Sequence, residues 1–205
     1  MSLLLALALP LAALYLLFLA WYGGRGRPLS AEEVEDSLRQ LGARASDAQS
    51  LELLAGVRAL VSSDDGREFV MQNLARYRAR ALYSPGHGHG DDPRAADRRY
   101  GRAIMPHLLR HGSLPVFIAR RCGSFIEPAG ADNWHYVAMV RYRSRRDFLR
   151  FALAIERQDI AMHKWAALEK THVFPVQPLV SLIFVRAAVA AVFLLAGAAL
   201  FLVLH

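Results

Sequence analysis

Hydrophobic positions crowd the two ends of the chain and alternate with polar ones in between. Residues 3–22, LLLALALPLAALYLLFLAWY, carry no charge, and neither do residues 187–204, AAVAAVFLLAGAALFLVL. Apolar positions continue upstream of the second run to Leu179, with Arg186 the one charge among them. A helix crossing ~30 Å of hydrocarbon takes about 20 apolar residues, so both runs are expected to be membrane spans, at 3–22 and about 179–204. A cleaved signal peptide is the competing reading of the first run. Against it, no Lys or Arg precedes the run, it is longer than an ordinary signal core, and no A-x-A site follows. Arg25 and Arg27 follow instead, and the positive-inside rule then predicts an inner-membrane protein with its central domain in the cytoplasm.

The pattern between the runs is finer. Ser30-Ala-Glu-Glu33 reads as a capping box opening a helix with Val34, Leu38 and Leu41 on one face. A second helix is expected from about Asp47 to Val61. From Arg67 the pattern shifts toward strands, predicted at 69–80, 114–126, 134–143 and 171–176. Pro93 opens a helix that runs to Gly112, and Pro106 is expected to kink or divide it. Ser144-Arg-Arg-Asp147 caps another, with a break near Gln158. The order β-α-β-β-α-β over 67–177 is the ferredoxin-like split arrangement. The predicted organisation is therefore 1–22 a span, 23–66 a linker and helical preface, 67–177 an α+β domain, and 178–205 a span. One face of such a sheet lies opposite the helices and needs cover. The candidates are a second copy of the chain, the helices at 31–61 folding back, or a larger membrane protein complex.

Charge sharpens this picture. Of 25 basic residues 23 are Arg, only Lys164 and Lys170 are Lys, and the formal net charge is +7. All but Arg186 fall in the central segment, so a basic domain facing an anionic bilayer is the expected partnership. No basic, aromatic-interleaved recognition motif points to nucleic acid. Cys122 is the one cysteine, so no intrachain disulfide forms; its RRCGS setting suits a small strand residue or a thiol acidified by two arginines.

Residues 137–176, VAMVRYRSRRDFLRFALAIERQD…HKWAALEKTHVFPV, resemble the C-terminal half of small proteins of the dimeric α/β-barrel superfamily, and FVMQNLARYR resembles its first strand. The superfamily includes cofactor-free monooxygenases acting on polyketide quinones, haem-degrading oxygenases, haem peroxidases, isomerases and members without known activity. The resemblance implies a ferredoxin-like fold and a lumen that often takes an aromatic ligand, but no particular reaction. Asn73, Trp134 and His163 reproduce, in order, the strand Asn, strand Trp and helix His of the haem-degrading members.

The residues allow these roles alongside plainer ones. Asn73, sharing a strand face with Met71, Ala75 and Tyr77, can point into a lumen toward a carbonyl or dioxygen-derived group, or satisfy a backbone group. Trp134 and Tyr136 can stack a planar ligand or fill a core. His87, His89, Asp91 and Asp92 are weak metal-ligand candidates in a loop whose glycines leave them unorganised. Tyr100 among Arg98, Arg99 and Arg102 forms a basic helical patch, and His172 reads as a strand residue. No nucleophile elbow, phosphate loop, dinucleotide fingerprint or zinc spacing occurs. The expected function is a membrane-tethered binding module or accessory subunit, without cofactor. The alternative is a cofactor-free or haem-linked oxygenase or isomerase acting on a lipophilic, quinone-like aromatic. A polar-dotted lumen lined by Asn73 and an aromatic favours the second; a lumen filled by side chains favours the first.

Overall fold

The computed structural model describes residues 3–23, 26–43, 48–180 and 185–204. Its elements are α1 (Leu3–Gly23), α2 (Ala31–Gly42), α3 (Ala48–Ser62), β1 (Phe69–Tyr77), α4 (Pro93–Arg110), β2 (Leu114–Arg120), β3 (Tyr136–Tyr142), α5 (Arg145–Arg157), α6 (Ala161–Ala167), β4 (Leu168–Val176) and α7 (Val185–Leu204). The four strands form one antiparallel sheet in the order β2-β3-β1-β4, the ferredoxin-like order.

Local chemistry starts and stops the elements. Glu33 N–H donates to Ser30 Oγ at 3.2 Å while Ser30 N–H donates to the Glu33 carboxylate at 2.8 Å, completing the capping box of α2. Asp92 accepts from Arg94 N–H at 2.8 Å, ahead of Pro93 at the first turn of α4. α4 runs unbroken through Pro106, so the expected division there does not occur. Ser144 accepts from Asp147 N–H at 3.1 Å to open α5. Asp159, in the left-handed region at φ 54°, separates α5 from α6. The strand at 114–126 is shorter than predicted, and Cys122 lies exposed in the loop beyond it rather than in a strand.

Along β1, alternate residues Phe69, Met71, Asn73, Ala75 and Tyr77 turn toward the helices. Toward the Phe69 end this side is filled: Phe69, Met71, Tyr142, Leu108 and Phe151 form one buried cluster, joined by Leu60 of α3. Phe69 and Tyr142 stack at 5.4 Å between ring centroids, and Phe148 meets both edge-on. Leu38, Val57 and Val61 bury against Leu149 of α5. The helices at 31–61 therefore extend the helical layer, leaving the opposite sheet face to something else.

Two arginines stitch the last turn of α1 to this frame. Arg141, 3% exposed, pairs with Glu68, donates to Gly112 O at 2.9 Å and Tyr22 O at 3.0 Å, and lies 3.6 Å from the centre of the Tyr22 ring. Arg143 donates to Trp21 O at 2.7 Å and forks onto Asp147 at 2.7 and 2.9 Å. Trp21 Nε1 donates in turn to Leu109 O at 2.9 Å.

The two expected spans need correction. Among the described residues no helix is long and apolar enough to cross a membrane, which overturns the flanking spans of the expected fold class and the two-span inner-membrane placement with a cytoplasmic domain. The apolar runs are built differently. α1 contains Pro10 and commits its last turn to polar contacts with β3 and α4. In the second run Leu179 and Val180 lie outside the helix, which begins at Val185. What stands is an α+β chain with a four-stranded antiparallel sheet.

Candidate functional site: a cavity between the sheet and α4

Toward the Tyr77 end, the helix-facing side of the sheet is lined by small residues. Ala75, Ala119 and Ala138 line it from the strands and Gly101 presents no side chain from α4, while Ala81, Ala96 and Ala167 pack with Ala75 and Leu168 in a buried cluster. The result is a cavity of about 710 Å³ walled by all four strands, α4, α6 and the 121–135 loop, within the size range of small-molecule sites. Ile104, Met105, Ile118 and Val140 supply apolar wall, and Asn73, Tyr77, Asp97, Tyr136 and Lys164 supply polar groups.

The polar groups are organised. Asp97 of α4 accepts from Tyr77 Oη at 2.8 Å and from Tyr136 Oη at 3.1 Å, bridging two adjacent strands through one carboxylate. Burial first, and the Asp97 charge second, push both tyrosine hydroxyls well above their ordinary range, so they stay protonated donors. Tyr100 is raised in the same way, by burial and then Asp97. Burial lowers the Lys164 ammonium to about 8, with the Asp97 carboxylate opposing the fall. The Arg94 guanidinium sits 5.5 Å from the centre of the Tyr77 ring.

The mouth is held by the loop after β2. Arg121 donates to Asn133 Oδ1 at 2.6 Å and Gly123 O at 3.0 Å, and pairs with Glu127. His135 N–H donates to Ala75 O at 2.8 Å, while its Nδ1 accepts from Tyr77 N–H at 2.9 Å. The imidazole thus continues the β1–β3 pairing where β3 has not yet begun, and its ring stacks on Tyr77 at 5.6 Å.

Asn73, Tyr77, Trp134 and Tyr136 all line the cavity. Asn73 Nδ2 donates to Met71 O at 2.9 Å and Ala138 O at 3.3 Å. Two carbonyl partners fix the amide's orientation, so the atom it offers a ligand is the acceptor Oδ1. A donor on the ligand, rather than the expected carbonyl, is what it can hold. Trp134 precedes β3 instead of lying in it.

His163 is elsewhere. It is not among the cavity residues; its Nδ1 lies 2.8 Å from Tyr83 Oη, and its ring meets His89 at 5.1 Å. Burial first, then His89 and Arg99, lower its pKa. Asn73, Trp134 and His163 therefore do not converge as the haem-linked alternative needs. The loop candidates are likewise occupied: Asp91 pairs with Arg80, Asp92 caps α4, and His87 stacks on His89 at 6.5 Å. Among the described residues no three His, Cys, Asp or Glu side chains come together to hold a metal ion. Sequence reasoning missed Asp97, His135 and Lys164. Asp97 adjoins the basic patch of α4 and Lys164 lies on the short α6, and only the packing of the two helices turns them inward.

No protein-family model matches the chain, and no curated protein matches it. Among solved structures it is similar to a protein of unknown function from Rhodopseudomonas palustris. The TM-score is 0.54 at 27% identity, over 63% of this chain and 94% of that one. A second crystal structure, of that protein in methylated form, gives 0.54 and 27% over 63% and 91%. A DABB family protein with a ferredoxin-like fold from Mesorhizobium loti aligns with a TM-score of 0.35 at 10% identity, over 55% and 98%. The likeness to the Rhodopseudomonas palustris protein is one of structure, and the neighbours carry no function to this chain.

Proposed function

We propose that the domain is a small-molecule-binding module, and that its ligand is a planar, mainly apolar compound carrying oxygen functions. The observation behind this is the unfilled space itself: a cavity of about 710 Å³ with apolar walls and one hydrogen-bonded polar end. A concave, mainly apolar surface of this size with a few convergent polar groups is the form that small-molecule sites take. Aromatic rings at Trp134, Tyr136 and Tyr77 suit a flat partner. Asn73 Oδ1 and the Tyr77–Asp97–Tyr136 bridge, whose hydroxyl hydrogens are already given to Asp97, suit its hydroxyl groups. The test is mass spectrometry and an absorption spectrum of what co-purifies with the chain, beside the Gly101→Phe variant. A Cβ at Gly101 meets nothing within 4 Å, so the ring has room to enter the cavity. The wild type is expected to carry a compound that the variant has lost; equal carriage by both sinks the proposal.

The same reading assigns a second copy of the chain to the free sheet face. Leu74, Val137, Met139 and Phe174 there are partly exposed and Phe117 is 37% exposed, and the helices at 31–61 pack on the other layer. Light scattering on the wild type and Met139→Glu should give a dimer and a monomer; two monomers refute it.

A further inference from the structure

The chain meets nearly every need for positive charge with arginine, and Lys164 and Lys170 are the only lysines. Lys170 lies on the surface and pairs with Asp132 at 2.8 Å. Lys164 lines the cavity from α6, and its ammonium makes no hydrogen bond or ion pair among the described residues. Its nearest aromatic neighbour is the adjacent Trp165, whose ring centre lies 5.3 Å away. Arginine and lysine differ chemically at such a place. A guanidinium does not give up its proton under ordinary conditions, whereas a buried amine does, and the neutral amine is a nucleophile.

We propose that Lys164 is a carbonyl-capturing amine, condensing with an aldehyde or ketone ligand in the cavity to form an imine. The inference rests on the cavity being a ligand site. The neutral amine's lone pair forms a bond to the carbonyl carbon as the carbon–oxygen π electrons move to oxygen. The carbinolamine then expels that oxygen as water, which carries away both amine protons, and a carbon–nitrogen double bond remains. No oxidant or reductant is consumed. The pieces that support this sit together: a cavity wall that is mainly apolar, an amine that burial holds near a pKa of about 8, and the Asp97 carboxylate, hydrogen-bonded by two tyrosines, to handle the protons.

The test uses the purified full chain at pH 7 with benzaldehyde as probe, borohydride to fix any imine, and peptide mapping of the benzylated amine. Quenching of tryptophan fluorescence by benzyl alcohol, which cannot condense, reports cavity binding independently. At that pH an amine with a pKa near 8 is neutral in about a tenth of molecules, against well under a thousandth for a lysine at the ordinary value of about 10.4. Benzylation is therefore expected at Lys164 in at least about tenfold excess over the surface Lys170, and Lys164→Arg should abolish the adduct at that position. Equal labelling of both lysines overturns the inference. Benzyl alcohol binding without an adduct at Lys164 overturns it too and leaves the cavity reading standing. Neither binding nor adduct sinks both.

Discussion

One side of one sheet is built in two ways. Toward the Phe69 end, Phe69, Met71, Tyr142, Leu108 and Phe151 close the space between sheet and helices. Toward the Tyr77 end, Ala75, Ala119, Ala138 and Gly101 stand where large side chains would be needed, and the space stays open. The backbone is continuous across both ends, because β1 and β3 pair in unbroken register from Phe69↔Tyr142 to Ala75↔Tyr136. Side-chain volume alone separates core from cavity. The filled end holds the strands and helices in place. The open end inherits that rigidity, as a preorganised site requires. The polar bridge of Tyr77, Asp97 and Tyr136 then ties α4 to two strands where apolar packing gives out.

The comparison can be broken by mutation. Leu108 is fully buried at the filled end, so Leu108→Ala should cost about 3 kcal/mol through lost transfer energy and a new void. Ile118 lines the cavity and is 65% exposed, so Ile118→Ala should cost less than about 1 kcal/mol. Denaturant titration of the two variants measures the difference; equal losses would mean the two ends are not energetically distinct.

Asp147 sharpens the filled end's polar border. Burial works against its ionised form, but the hydrogen bonds from Arg143 and Ser144 outweigh it and hold the carboxyl below its ordinary range. A carboxyl depressed in the folded state stabilises fully above its unfolded value, about 4, and loses that contribution as pH falls through the folded one. Asp147→Asn, which strips Arg143 of its partner, should cost ~2–3 kcal/mol at pH 7. The gap from wild type should narrow as pH drops below about 4, read by thermal melts across pH. A gap unchanged down to pH 2 would assign the loss to packing instead.

The smallest effect concerns the open end. Gly101 lies within α4 in open space, so Gly101→Ala should raise stability by about 0.5–1 kcal/mol from helix propensity alone. A decrease would mean that the bare backbone at that position supports the fold rather than the cavity.

Local signals determined much of this chain. The capping box at Ser30–Glu33, Pro93 after Asp92, Ser144 before α5 and the alternation along 69–77 depend on neighbours within a few residues, so the helices and the strand order were legible. Asn73, Ala75 and Tyr77 could be placed on one face of β1 because strand periodicity needs no knowledge of the rest, whereas Trp134, expected in a strand with Tyr136, lies ahead of β3. The apolar runs at the ends were legible only as apolar. Whether such a run spans a membrane or ends docked on a folded domain depends on distant partners, and Arg141 and Arg143 hold the last turn of α1 from 119 and 122 residues away. His163 was drawn toward the cavity by residue type, yet one helical step sends its ring to Tyr83 and Lys164 to the cavity wall. The pairing of Asp97 with two tyrosines spans 20 and 39 residues. Only the tertiary structure decided it, because a hydrogen bond across such a separation exists only once packing has brought strand and helix together.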